Sequence, residues 1–172
     1  MKKIDFEPIS IDLIDADIDV AKDIFYKIYN SDTPTKINPK MMNLCAYHAA
    51  QAIEKTLKFI YYRDTGRQDM THNISELLVD VEMNRKGYIH EHREMTEQAH
   101  FITNLNNARY GGSVSRDTAY KMMNIAKGLY KELCQEFGKP QYEMFIPQQK
   151  DKGQDKDNNK PARKNRHQTE KE

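Results

Sequence analysis

The chain has 172 residues, of which 38% are hydrophobic and 31% charged, with a formal net charge of +1. That length suits one domain with a terminal extension, and so low an apolar share implies that part of the chain does not pack. No apolar run approaches the length of a membrane span.

Charge is unevenly spread. Residues 1–30 hold seven acids against four lysines, which disfavours contact with a phosphate backbone there, whereas residues 147–172 hold eight basic groups against five acids. Such a tail meets nucleic acid weakly and without sequence preference. The N-terminus, MKKIDFEPISIDLIDAD, turns acidic where a secretory signal would turn apolar, so a cytoplasmic location is expected. Cys45 and Cys134 lie in helical patterns without metal-ligand spacing and are read as two buried free thiols.

Residues Met1 to Ile9 form a lead-in, and Ser10 is placed to cap a first helix with Asp12 and Asp15 near its positive end. Ile14, Ile18, Ala21, Phe25 and Ile28 give that helix an apolar face up to about Tyr29, while Asp17, Asp19, Lys22, Asp23 and Lys27 are assigned to its wet side. Asn30 to Pro39, with two prolines, reads as a loop. The second helix starts near Pro39 or Lys40 and runs to about Asp64. Ala46, Ala49, Ile53, Leu57 and Ile60 recur on one face, widened by Ala50 and Ala52 so that a neighbour can approach closely. This helix is expected to be the centre of the fold, and it also carries His48, Gln51, Glu54, Lys55 and Lys58.

Gly66 ends it. Asn73 with Glu76 resembles a capping box, and Ile74, Leu77, Leu78 and Val81 bury a short third helix that Asn84 to Gly87 close. Tyr88 to Asn107 reads as one fourth helix packed through Met95, Ala99, Ile102 and Leu105. The glycines of ARYGGSVSRD force a break, and Ser115 caps a fifth helix. Ala119, Met122, Ala126, Leu129, Leu133 and Phe137 carry it to the stop at Gly138–Lys139–Pro140. Tyr142 to Ile146 are expected to lie back on the bundle. Beyond Pro147 only Ala162 is apolar, so nothing offsets the entropy of ordering that segment. The expectation is all-α: an antiparallel bundle of about five helices over residues 1–146, then a disordered basic tail over 147–172.

In that order the chain contains AYHAAQAIEKTLKFIYY, THNISELL and NNARYGG. Together these resemble the HEPN family, the higher-eukaryote and prokaryote nucleotide-binding domains, over roughly Ile11 to Phe137. His48, Gln51, Ala52, Glu54 and Lys55 fill the family's helix-two core. Thr71, His72, Leu77 and Leu78 match a Thr–His before a Leu-rich helix. Ala108, Arg109 and Tyr110 match a later Ala–Arg–Tyr, with Gly111–Gly112 where Pro–Asp often follows.

The resemblance implies one of several roles. Some members are metal-independent ribonucleases of toxin–antitoxin or defence systems that use an Arg, four to six residues, then a His, paired across a dimer. Others are noncatalytic partners of small nucleotidyltransferases, or modules that bind nucleotides, RNA or proteins. Arg109 matches the catalytic arginine, but Tyr110 to Arg116 contain no histidine. Arg85 to His90 and Arg93 to His100 meet the spacing by themselves, but both precede the position where the motif belongs.

Metal-free cleavage of RNA needs proton transfer at the 2′-hydroxyl and the leaving oxygen, with charge stabilisation at phosphorus. Arginine can clamp phosphate even where no histidine moves protons. Arg109 with Tyr110 and the N–H groups of Gly111 and Gly112 is therefore a candidate phosphate site, the alternative being a simple turn between helices. His48, Gln51, Glu54 and Lys55 either edge that nucleotide or phosphate site or form a buried polar cluster that fixes helix register. Glu54 is placed to hold Lys58 one turn on, or to reach Arg109. His72 is read as capping or bracing the third helix.

His90, His92 and His100 lack metal geometry, and neither a metal nor a cofactor is expected. Tyr26, Tyr29, Tyr47, Tyr61 and Tyr62 suit a homodimer seam. The expected function is a noncatalytic module that binds a nucleotide, RNA or a protein such as a small nucleotidyltransferase. The alternatives are a toxin or defence ribonuclease and a structural dimeric adaptor.

Overall fold

A computed structural model describes residues 9–29, 39–107 and 113–139. Among them are six helices: α1 (Ile11–Tyr29), α2 (Pro39–Thr65), α3 (Ile74–Asn84), α4 (Tyr88–Glu91), α5 (Arg93–Asn107) and α6 (Arg116–Phe137). No strand occurs among the described residues, and the chain is the all-α bundle that its apolar spacing predicts.

Helix α2 is central because its buried face is small. Ala46, Ala49, Ala50, Ala52, Ile53 and Leu57 are all fully buried. Side chains that short let neighbouring helix backbones come near, while Ile53 and Leu57 fill the remaining volume. Helix α1 lies antiparallel to α2, with the Ala21 carbonyl accepting from the Cys45 thiol at 3.3 Å and Asp17 reaching His48 and Lys55.

Helix α6 runs in the same direction as α2. The Val114 N–H, just ahead of α6, donates to Asn43 Oδ1 at 2.7 Å, and the Phe137 ring at its end meets Phe59 at 5.4 Å. The Phe25–Tyr120 contact, with centroids 5.4 Å apart, makes α1 antiparallel to α6 as well. Helices α3, α4 and α5 supply the return path between α2 and α6.

The ends follow the local chemistry. The Ser10 hydroxyl accepts from the Leu13 N–H at 3.4 Å, and Ser115 Oγ accepts from the Thr118 N–H at 3.1 Å. Asn73 Oδ1 accepts from the Ser75 N–H at 3.0 Å, while its amide donates to Glu76 at 3.0 Å. Gly66, at φ +68°, leaves α2 in the left-handed region that side chains with a Cβ resist.

One expected helix is two. The stretch from Tyr88 to Asn107 breaks at His92, whose backbone sits at φ −106° and ψ 42°. The Glu82 carboxylate seizes the N–H groups of Gly87 and Ile89, each at 2.9 Å, and thereby starts α4 as a separate turn. The His92 ring stacks on Tyr88 with centroids 4.0 Å apart, and its Nε2 lies 2.7 Å from Glu132 of α6. Those contacts redirect the chain into α5.

Cys45 is buried and free, as expected, but Cys134 is only half-buried. No described helix is long and apolar enough to cross a membrane. The loop over residues 30–38, the side chain of Tyr29, Arg109 to Gly112, Tyr142 to Ile146, the boundary after residue 146 and the tail lie outside the described residues.

Candidate functional site

His48 and Lys55 stand seven residues apart, two helical turns, and so share one face of α2. That face meets Asp17 of α1. One carboxylate oxygen lies 2.9 Å from His48 Nδ1, and the other accepts from Lys55 Nζ at 2.5 Å. Burial works to raise the Asp17 pKa, but the hydrogen bonds and charges of His48 and Lys55 outweigh it and hold the carboxyl below its ordinary 3.8. An ionised Asp17 only accepts, so Nδ1 of His48 donates to it and Nε2 is turned away from Asp17. His48 and Lys55 are part-exposed, and Gln51 lies between them, half-buried, one turn from each.

The link has a pH signature. A carboxyl whose folded pKa is depressed contributes stability above its unfolded value and loses that contribution as pH falls through the folded value. Wild-type protein should therefore lose stability as acid is added below about pH 4. Asp17→Asn should lack that component, so its urea midpoints fall less steeply over the same range.

Glu54 belongs to a different cluster. Its side chain is only 5% exposed, and Oε1 accepts from buried Lys58 at 2.9 Å and from His72 Nδ1 at 2.8 Å. His72 is 75% exposed and fastens the lead-in of α3 to α2, while the cap of α3 is Asn73. The structure thus brings His48 and Lys55 together on Asp17 and turns Glu54 to an adjacent face of α2, toward Lys58 and His72. Arg109 and Tyr110, the remaining candidate residues, lie outside the described residues.

Arg85 and Arg93, the arginines of the two pairs with nuclease-like spacing, are each engaged in ion pairs. Arg85 is held by Asp64 at 2.6 and 2.8 Å and by Glu136 at 2.7 and 2.8 Å, with Phe137 beneath it. This joins the ends of α2, α3 and α6. Arg93 pairs with Glu97 at 2.8 Å, and Asn104 lies 3.1 Å from His100 Nε2. Among the described residues no three His, Cys, Asp or Glu side chains gather into a metal site.

Asp17 is the residue that sequence reasoning misplaced. On α1 alone it belongs with the wet side, yet its side chain is 13% exposed against α2. The available signal was the matched His48 and Lys55, a pair that needs an acid opposite.

No curated protein and no solved structure matches the chain. A family model described as the HEPN domain matches residues 35–137, more than half of the chain, taking in α2 to α6 with His48, Lys55, Glu54 and His72. The chain belongs to the HEPN domain family.

Proposed function

We propose that this chain is a noncatalytic HEPN module that binds a nucleotide or RNA and works as a homodimer, a small nucleotidyltransferase being the class of protein partner. The observation that carries this reading is the run after Arg109, Tyr110 to Arg116, which supplies no histidine. Without one, Arg109 can hold a phosphate but nothing beside it in sequence moves the protons that cleavage requires. His48 and Lys55 supply cationic or hydrogen-bonding groups at the rim of the α1–α2 seam, and Asp17 fixes their positions.

A ribonuclease is the second reading, and the Asp17–His48 pair favours it. A carboxylate on Nδ1 orients an imidazole so that Nε2 can accept or donate a proton. Both readings meet one experiment: incubation of the purified protein with a mixed pool of small RNAs, free of metal, beside Arg109→Ala. The expected result is retention of RNA on the protein with no new fragments. Cleavage lost in Arg109→Ala would replace the binding reading with the nuclease, and His48→Gln would then identify the proton carrier.

A further inference from the structure

We infer that the cleft between the C-terminal half of α1 and the first turns of α6 is a stacking site for one nucleobase carrying a phosphate. The inference rests on the proposed nucleotide- or RNA-binding role and adds to it a second place, on α1 and α6 rather than at the His48–Lys55 rim, with a ligand chemistry of its own.

The cleft has a volume of about 400 Å³ and is lined by Phe25, Tyr26, Arg116, Asp117 and Tyr120. That volume lies within the ordinary range for small-ligand sites, about 300–1,000 Å³. Phe25 is buried and forms the base of an aromatic group. The Tyr120 ring is tilted 34° to it at 5.4 Å, and the Tyr26 ring is nearly perpendicular at 82° and 6.1 Å. Tyr26 remains 49% exposed and Tyr120 50% exposed, although both touch a buried ring. A core-filling role would bury them further. Half-exposed tyrosines beside a cleft instead offer flat apolar faces with polar tips, the surface on which nucleobases stack.

The polar groups at the cleft fit the rest of such a ligand. Arg116 lines the cleft and brings a cationic group whose chemistry suits phosphate oxygens, and Asp117, also in the lining, brings acceptors for an exocyclic amine or a ribose hydroxyl. Charge limits the reach of the site. Residues 1–30 carry seven acids against four lysines, which is repulsive to a long phosphate track along α1. One nucleotide fits this arrangement; a duplex backbone does not. The shared chemistry has two sources, a free ribonucleoside monophosphate or one residue of single-stranded RNA.

The test uses the full chain and two probes, adenosine monophosphate followed by calorimetry and a short fluorescein-labelled oligoadenylate followed by polarisation. Tyr120→Leu should weaken binding by about tenfold or more, because an aliphatic group keeps the volume and loses the stacking face. Tyr120→Phe should stay within about twofold of wild type, since the ring remains. Arg116→Gln should weaken binding and lower the salt slope by about one. Met83→Ala, at an exposed position on α3, serves as the distant control.

Monophosphate that displaces the oligomer supports the site with a free nucleotide as ligand; binding of the oligomer alone supports it with RNA as the source. Wild-type affinity in both Tyr120→Leu and Arg116→Gln would overturn this site while leaving the binding function in place. Failure of wild-type protein to bind either probe would overturn both. Circular dichroism melts establish that each variant is folded, and exposed Arg116 carries the test if Tyr120→Leu is not.

Discussion

Replacing Glu54 with alanine is expected to lower the unfolding free energy by about 3–5 kcal/mol. Glu54 is 5% exposed and Lys58 10%, with Oε1 to Nζ at 2.9 Å, so the pair has left water almost completely. Removing the acid leaves a buried ammonium without the carboxylate that faces it, and that penalty is the larger part of the expected loss. The direct worth of the pair is smaller. Glu54→Leu combined with Lys58→Met should therefore recover most of the stability that Glu54→Ala loses, because neither charge is then buried alone. His72→Ala should cost under about 1 kcal/mol, since that side of the link is 75% exposed and screened. Urea denaturation of the four proteins measures these differences. A loss in Glu54→Ala no greater than about 0.5 kcal/mol, the scale of ordinary surface changes, would show that the buried pair does not hold α2.

Most helices were legible because their stop and start chemistry is local. The three- and four-residue apolar spacing marks α1, α2, α3 and α6, and Ser10, Gly66, Asn73, Ser115 and Gly138 punctuate them within a turn of their ends. The break at His92 was not legible. It depends on Glu82 reaching the N–H groups of Gly87 and Ile89 across a turn, and on Glu132 meeting His92 from forty residues away. Neither contact leaves a trace in the periodicity of residues 88–107.

The candidate site was legible to the same depth. His48 and Lys55 share a face by helical arithmetic, and the spacing of Glu54 and Lys58 gives their ion pair directly. Glu54 parts from Lys55 for the same reason, since adjacent residues point about 100° apart around the helix. The acid that joins His48 to Lys55 sits on another helix, thirty-one residues before His48. No local pattern distinguishes Asp17 from Asp19 or Asp23 until the register of α1 against α2 is known. The Tyr26–Tyr120 cleft is hidden similarly: by sequence Tyr26 is only one of the tyrosines suited to a homodimer seam, and nothing joins it to Tyr120 until α6 returns alongside α1.

Leu57→Ala should be comparably destabilising, by about 2–5 kcal/mol, through packing alone. Leu57 is fully buried on α2, one turn from fully buried Ile53 and from buried Ile60, and a closely packed surround collapses only partly into the space a truncated side chain leaves. The wall of the resulting cavity therefore loses dispersion contacts as well as the hydrophobic transfer energy. Leu57→Met keeps the volume and should cost less than about 1.5 kcal/mol. A fall in the urea midpoint at unchanged slope would place the effect in the folded state. The consequence reaches the polar clusters, because Glu54, Lys55 and Lys58 all lie within one turn of Leu57 and take their positions from the same backbone. A midpoint for Leu57→Ala equal to that of wild type would mean that α2 can move to close the gap. In that case α2 would not be the rigid element that holds Asp17 to His48 and Lys55.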